Sequence, residues 1–265
     1  MIVGCNSYSL SRLPRYEAFA QMRALGLRDV ELWTGHASYL RDEVDPAAVA
    51  AEARVAGLVI HAYGIGGLCG LPAGLVESRL DRAFRFARGL GVDLVTGIVD
   101  RDAVAVADAL CGRHGLRFAI ENHWYAELAR PEDCAAAVAS ASPAVGVNID
   151  TGHFAFLGCD LAAAARMLGA RTFNVHLKAV RAPGRLEIFR RRFQKRYTME
   201  PTLPRPGDGL DVFIGTLADA GYRGLLAIEH ESPHAEAELA VYRDRARQLV
   251  ARVAPRYEQP MQANG

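Results

Sequence analysis

The chain has 265 residues, with 31 Lys and Arg against 30 Asp and Glu, so its formal net charge is +1 at pH 7; that balance argues against a protein that coats polyanions. Hydrophobic residues make up 51% and charged residues 23%, which excludes a disordered chain, and no apolar run approaches the roughly 18–20 residues that span a bilayer. The five cysteines show no C-x-x-C spacing and the start, Met1-Ile2-Val3-Gly4-Cys5-Asn6, lacks a secretory signal, so reduced thiols and a cytoplasmic location are expected.

Short β-rich apolar runs alternate with longer amphipathic stretches. The pattern predicts a strand over 2–6 and a helix over 14–25, with Pro14 in its first turn and Gly26 at its end. It continues with strand 29–33, helix 45–56, strand 58–63, helix 74–90, strand 93–99 and helix 102–114. The second half predicts strand 116–122, helix 131–140, strand 144–150, helix 160–168, strand 172–177, helix 210–220, strand 224–229 and helix 235–254. Eight βα units at this length predict a single (β/α)8 TIM barrel over residues 1–254, with a doubly wound open sheet as the alternative. Residues 255–265 read as a flexible tail.

Two connections stand out. Residues 63–74 are rich in glycine (Gly64, Gly66, Gly67, Gly70, Gly74) without a following G-K-[ST]. They read as a mobile lid or turn, or as a loop that contacts substrate. Residues 178–206 form a long insertion after strand seven that carries nine basic residues against Glu187 and Glu200. It reads as a solvated helix face, an anion-binding lid or a partner surface, with Phe189, Phe193 and Tyr197 spaced to pack a helix down.

In such a barrel the chemistry sits at the C-terminal ends of the strands. The polar residues expected there are Glu31 and His36 on strand two, His61 on three, and Glu121, Asn122 and His123 on five. Strand six brings Asn148, Asp150 and His153, strand seven Asn174, His176 and Lys178, and strand eight Glu229, His230 and Glu231. Glu121, Asp150 and Glu229 each follow an apolar run and point to one mouth. Three carboxylates there repel one another, and each costs several kcal/mol to bury unpaired. A divalent cation relieves that cost, with His176 completing the ligand set; a salt-bridge network through Lys178 and arginines is the alternative. Three carboxylates and an imidazole favour Mn2+, Mg2+ or Co2+, with Zn2+ compatible.

These residues resemble the xylose isomerase-like TIM-barrel superfamily, in particular the sugar phosphate isomerase/epimerase group of ketose 3-epimerases, hydroxypyruvate isomerase and inosose dehydratase. The resemblance runs from Ile2 to about Val253. It rests on Glu121, on Asp150-Thr151-Gly152-His153, and on His176-Leu177-Lys178. Gly207-Asp208-Gly209-Leu210-Asp211 and Gly221-Tyr222-Arg223-Gly224 leading to Glu229 complete it.

The resemblance implies one divalent metal ion on Glu121, Asp150, His176 and Glu229. It further implies Glu121 and Glu229 as the proton-moving catalytic pair, acting next to a carbonyl through a metal-stabilised enediolate. The implied function is a metal-dependent isomerase or epimerase of a sugar or keto-polyol, with a dehydratase of the inosose dehydratase type as the alternative. The implied partner is a small-molecule substrate, with a homo-oligomer as the group's habit. His153 is placed for a metal-bound water or the substrate, and Lys178 for a carboxylate or an enediolate oxygen, unless it snorkels to the surface. His61, His123, Trp33 and Trp124 line the mouth or pack, Glu31 and Glu231 orient ligands or pack, and Arg181 is the expected substrate contact in the basic segment. Ala179 stands where many members carry an acidic residue. An enzyme like endonuclease IV is disfavoured, because 179–206 contains no histidine to hold further zinc ions.

Overall fold

The computed structural model describes residues 1–181 and 199–253. Eight strands close into one barrel in chain order: β1 (Ile2–Asn6), β2 (Asp29–Trp33), β3 (Val59–Gly67), β4 (Leu94–Ile98), β5 (Arg117–Glu121), β6 (Val145–Asp150), β7 (Thr172–Leu177) and β8 (Leu225–Ile228). Every neighbouring pair is parallel, and β1 closes on β8 through Ile2↔Leu225 to Cys5↔Ile228. The fold is therefore the closed (β/α)8 barrel that the alternating runs predict, rather than an open sheet.

Local chemistry sets the helix ends. Asp45 accepts a hydrogen bond from the Ala47 N–H at the start of helix Pro46–Val55, and Asp160 accepts from Ala162 and Ala163 at the start of Leu161–Leu168. Gly91 ends helix Ala73–Leu90 in the left-handed region, at φ 78°. The main core lies between the barrel and its helices, with Phe84 stacked on Phe118. A small separate cluster of Ala62, Leu94 and Ala119, with Phe173 against it, occupies part of the barrel interior. Ala119 and Glu121 share the inward face of β5 by strand alternation, so the apolar plug gives way to acid two residues later.

Three expectations are revised. Strand β3 runs on to Gly67, so the first glycines of the 63–74 segment are strand, not loop. A short helix, Thr151–Phe156, follows β6 directly. His61 is the extra residue of a register shift, since Val30 pairs with Ile60 and Glu31 with Ala62. Its Nε2 bonds Asp29 Oδ1 at 2.7 Å, beside the first residue of β2, so His61 lies low on the barrel and does not reach the mouth.

Of the basic insertion, residues 182–198 lie outside the described residues, as do Phe189, Phe193, Tyr197 and the tail 254–265. Among the described residues no helix is long and apolar enough to cross a membrane.

Candidate active site

The predicted ligands meet at one mouth. Asp150 pairs with His176 in strand register, and Glu121 with Asn148. His176 Nδ1 lies 2.8 Å from Glu229 Oε2, 3.7 Å from Glu121 Oε1 and 3.8 Å from Asp150 Oδ2. Asp150, His176 and Glu229 offer ligand atoms within 4.8 Å of one another, and so do Glu121, Asp150 and His153. Asp150 also starts helix Thr151–Phe156. Its Oδ1 accepts from the His153 N–H at 2.9 Å, which leaves Oδ2 buried and turned to the cluster.

Lys178 enters this cluster instead of reaching the surface. It is 2% exposed, and its ammonium lies 2.9 Å from Asp150 Oδ2, 2.7 Å from Glu229 Oε1 and 2.9 Å from Glu231 Oε1. Gly152 makes room for its stem. Position 178 lies two residues beyond His176, so strand alternation aims both inward. The salt-bridge network read as an alternative to a metal is thus present around the same carboxylates.

The site's electrostatics are uneven. Burial pushes the Glu121 carboxyl up to about 7, partly opposed by His176. Burial acts in the same sense on Glu229, yet His176 and Lys178 overcome it and hold that carboxyl well below the ordinary range. Asp150 is likewise held low against burial, by the charged Lys178 and His176 beside it. His176 loses basicity to burial but gains more from Glu229, Glu31 and Glu121, and ends well above its usual value. Burial dominates at His153, which falls well below the usual range, and at His123, which falls to about 4; both imidazoles are neutral near pH 7.

A cavity of about 210 Å3 opens over the cluster, lined by Glu121, His176 and Glu229 below. Tyr8 and Trp33 form an edge-on pair on one wall, and His123, Tyr125 and His153 form another. His123 lies 3.9 Å from Tyr125 and 3.7 Å from His153, ring centre to ring centre. Gly64, Gly66 and Gly67 also line it, so part of the glycine-rich segment faces the cavity. Larger clefts occur elsewhere, one of about 560 Å3 lined by Leu68, Asp100 and Glu127, but they lack converging acid and imidazole groups.

Other expected contacts fall elsewhere. Arg181 is exposed, pairs with Glu200 at 2.6 Å and does not line the cavity. His36 bonds Ser7 and the Leu13 carbonyl, so its role is to tie loops. Asp208 accepts from the N–H groups of Arg205 and Leu210, and the Tyr222 hydroxyl donates to the Leu225 carbonyl, so both glycine-flanked motifs are turn chemistry. Sequence reading gave no role to Asn6, which donates to Glu229 Oε2 at 3.0 Å, nor to Tyr8 and Tyr125. Asn148 and Asn174, each two residues before a proposed ligand, share that ligand's inward face by alternation.

Residues 19–251 match the family model described as xylose isomerase-like TIM barrel. The chain belongs to that family. A search of curated protein sequences gave no significant match. Among solved structures, this family member resembles a xylose isomerase-like TIM barrel/4-hydroxyphenylpyruvate dioxygenase fusion protein. The TM-score is 0.76 at 21% identity, over 100% of this chain but 45% of that one, so the chain spans about half the fusion's length. It also resembles the probable 3-DHS dehydratase AsbF of Bacillus anthracis, with TM-score 0.75 at 13% identity over 93% of this chain and 99% of that one. D-psicose 3-epimerase aligns with TM-score 0.67 at 15% identity, over 95% of this chain and 97% of that one. At these identities the likeness is one of fold.

Proposed function

We propose that the protein is a divalent-metal-dependent isomerase or epimerase of a sugar or keto-polyol, its cation held by Glu121, Asp150, His176 and Glu229. One observation carries this reading: three buried carboxylates converge on His176 Nδ1, with Asp150 Oδ2 turned inward to the same point. The donor set of hard oxygens and one imidazole suits Mn2+, Mg2+ or Co2+, and accommodates Zn2+. A cation held by these residues would act as a Lewis acid on a substrate carbonyl and make the neighbouring C–H more acidic.

The chain's own side chains supply the proton traffic. Glu229 and Glu121 are the carboxylates placed to remove and return the proton; in the cation-free chain His176 and Lys178 hold Glu229 low against burial while burial raises Glu121. Carboxyls driven apart by their surroundings are the usual basis for separate base and acid roles. Return to the opposite face epimerises, and return to the adjacent carbon isomerises. Neutral His123 and His153 offer hydrogen bonds to hydroxyls, while Trp33, Tyr8 and Tyr125 offer apolar faces to the C–H side of a small polyol.

A dehydratase is the second reading, because an acid at Glu121 would equally serve a departing β-hydroxyl. The solved neighbours of the same fold include an epimerase and a probable dehydratase.

The test is incubation of Mn2+-loaded protein with keto-sugars and inososes in D2O, following products and deuterium uptake. Epimer or isomer with deuterium at the reacting carbon supports the first reading, and loss of water with a new enone or diketone replaces it by the second. Metal content measured beside Asp150→Asn tests the ligand set: about one ion per chain, lost in the variant, is expected. No saturable Mn2+ binding by the wild type would refute the metal reading.

A further inference from the structure

Beneath His176 lies a polar platform that the proton traffic above does not use. Glu31, on β2, is fully buried at 0% exposure. Its Oε2 accepts from His176 Nε2 at 2.7 Å and from Asn174 Nδ2 at 2.7 Å, and its Oε1 accepts from the Thr96 hydroxyl. Asn174 is tied in turn to Asn148 Oδ1 at 3.1 Å. A Cβ on Gly64 would come 3.1 Å from Glu31 Oε1, so glycine there leaves the carboxylate its place. The platform thus joins β2, β4, β6 and β7.

A carboxylate accepts and does not donate, so at 2.7 Å His176 Nε2 carries a hydrogen toward Glu31; Nδ1, 2.8 Å from Glu229 Oε2, carries one as well in the cation-free imidazolium, and that is the proton a cation would replace. The amide nitrogens of Asn6 and Asn148 also lie near Nε2, at 3.1 and 3.0 Å, but both are farther than Glu31 Oε2 and neither is charged, so the carboxylate is the stronger partner for Nε2. With Nε2 committed downward, the other ring nitrogen is the one that faces Glu229, Glu121 and Asp150. A ring nitrogen binds a cation through its lone pair, and the partner of the opposite nitrogen decides which one is available.

We propose that Glu31 is a positioning residue that fixes the tautomer and orientation of His176, presenting Nδ1 to a divalent cation. This rests on the reading of Glu121, Asp150, His176 and Glu229 as a cation site. Thr96 and Asn174 in turn hold Glu31, so the carboxylate cannot follow the ring if the ring swings.

The experiment compares wild type, Glu31→Gln and Glu31→Leu, using Mn2+ for affinity by calorimetry and Co2+ for proton NMR. In Co2+-loaded wild type the His176 Nε2–H should give a hyperfine-shifted resonance that exchanges slowly with D2O. The amide of Glu31→Gln should shift that resonance and speed its exchange, and Glu31→Leu should abolish it. Mn2+ affinity should fall about 10–100-fold in Glu31→Leu and by less in Glu31→Gln. A purely structural role would alter unfolding but leave the N–H resonance of loaded protein in place. Wild-type affinity together with an unchanged N–H resonance in Glu31→Gln overturns the proposal while leaving the cation site intact. If Glu31→Leu does not fold, Glu31→Gln decides. If wild type binds neither ion saturably, the cation reading falls and the role of Glu31 falls with it.

Discussion

The ammonium of Lys178 lies 2.9 Å from Asp150 Oδ2, while its other close partner in the ligand set is Glu229 Oε1 at 2.7 Å. Two of the four proposed ligands therefore share a side-chain cation. A lysine placed in this way lowers the cost of gathering carboxylates before any ion arrives. Burial lowers the basicity of Lys178, but Asp150, Glu229 and Glu231 outweigh that and hold its ammonium well above the ordinary range, so it is an internal counter-charge and not a nucleophilic amine.

Replacing Lys178 by Met leaves Asp150 and Glu229 short of a partner inside the barrel. Removing one partner of a buried pair costs about 3–5 kcal/mol. Urea unfolding should show a loss of that size, and added Mn2+ should restore more stability to the variant than it adds to wild type. Equal Mn2+ effects in the two proteins would mean that lysine and metal do not address the same carboxylates.

Gly152→Ala should act through the same lysine. A Cβ at 152 would fall 2.6 Å from both Cγ and Cδ of Lys178, and 2.9 Å from its Cβ. The stem must move, at a cost of about 1–3 kcal/mol, despite alanine's better helix propensity. In a double-mutant cycle with Lys178→Ala most of that cost should vanish, because the Cγ and Cδ atoms that are struck are gone. Strict additivity of the two substitutions would exclude the contact as the cause.

The Glu121 carboxyl, raised to about 7 by burial, gives a signed pH dependence. The folded chain holds this proton more tightly than the unfolded one. The contribution is therefore present in acid, and declines as pH rises from the ordinary carboxylate range through 7. Glu121→Gln removes the titration. Metal-free wild type should thus lose stability relative to Glu121→Gln between pH 5 and pH 8, read from urea midpoints across that range. A difference that stays flat with pH would show that Glu121 ionises in the fold as it does in water.

His61→Ala should leave the mouth untouched. Its partner is Asp29 at 2.7 Å, and the two side chains are 32% and 29% exposed. A partly exposed pair of this kind is worth at most about 1 kcal/mol. Mn2+ affinity and any turnover should match wild type, and a tenfold loss of either would return His61 to the site.

The order of elements was legible because each βα unit carries its own signals: apolar strand runs, Asp45 and Asp160 before helices, and Gly91 after one. Glu121, Asp150, His176 and Glu229 were legible as candidates because each stands at the end of such a run. The limits of β3 were not, because Gly64 and Gly67 read as turn residues until pairing with β4 extends the strand. The helix at Thr151 was hidden for a related reason, since the side chain that caps it belongs to the Asp150 already counted as a ligand.

The sequence alone determined which residue types are available at the strand ends and how they alternate, for these follow from spacing along one strand. Height within the barrel and the partner across it depend on register between strands, which no single strand encodes. The shift between Val30 and Glu31 leaves His61 low beside Asp29 and sets Glu31 under His176. Closure of β8 against β1 and β7 brings Glu229 within reach of residues more than 50 positions away in the chain. Burial, and with it the titration of Glu121 and the confinement of Lys178, exists only once the barrel has excluded water from those side chains, and for that reason only the tertiary structure could decide it.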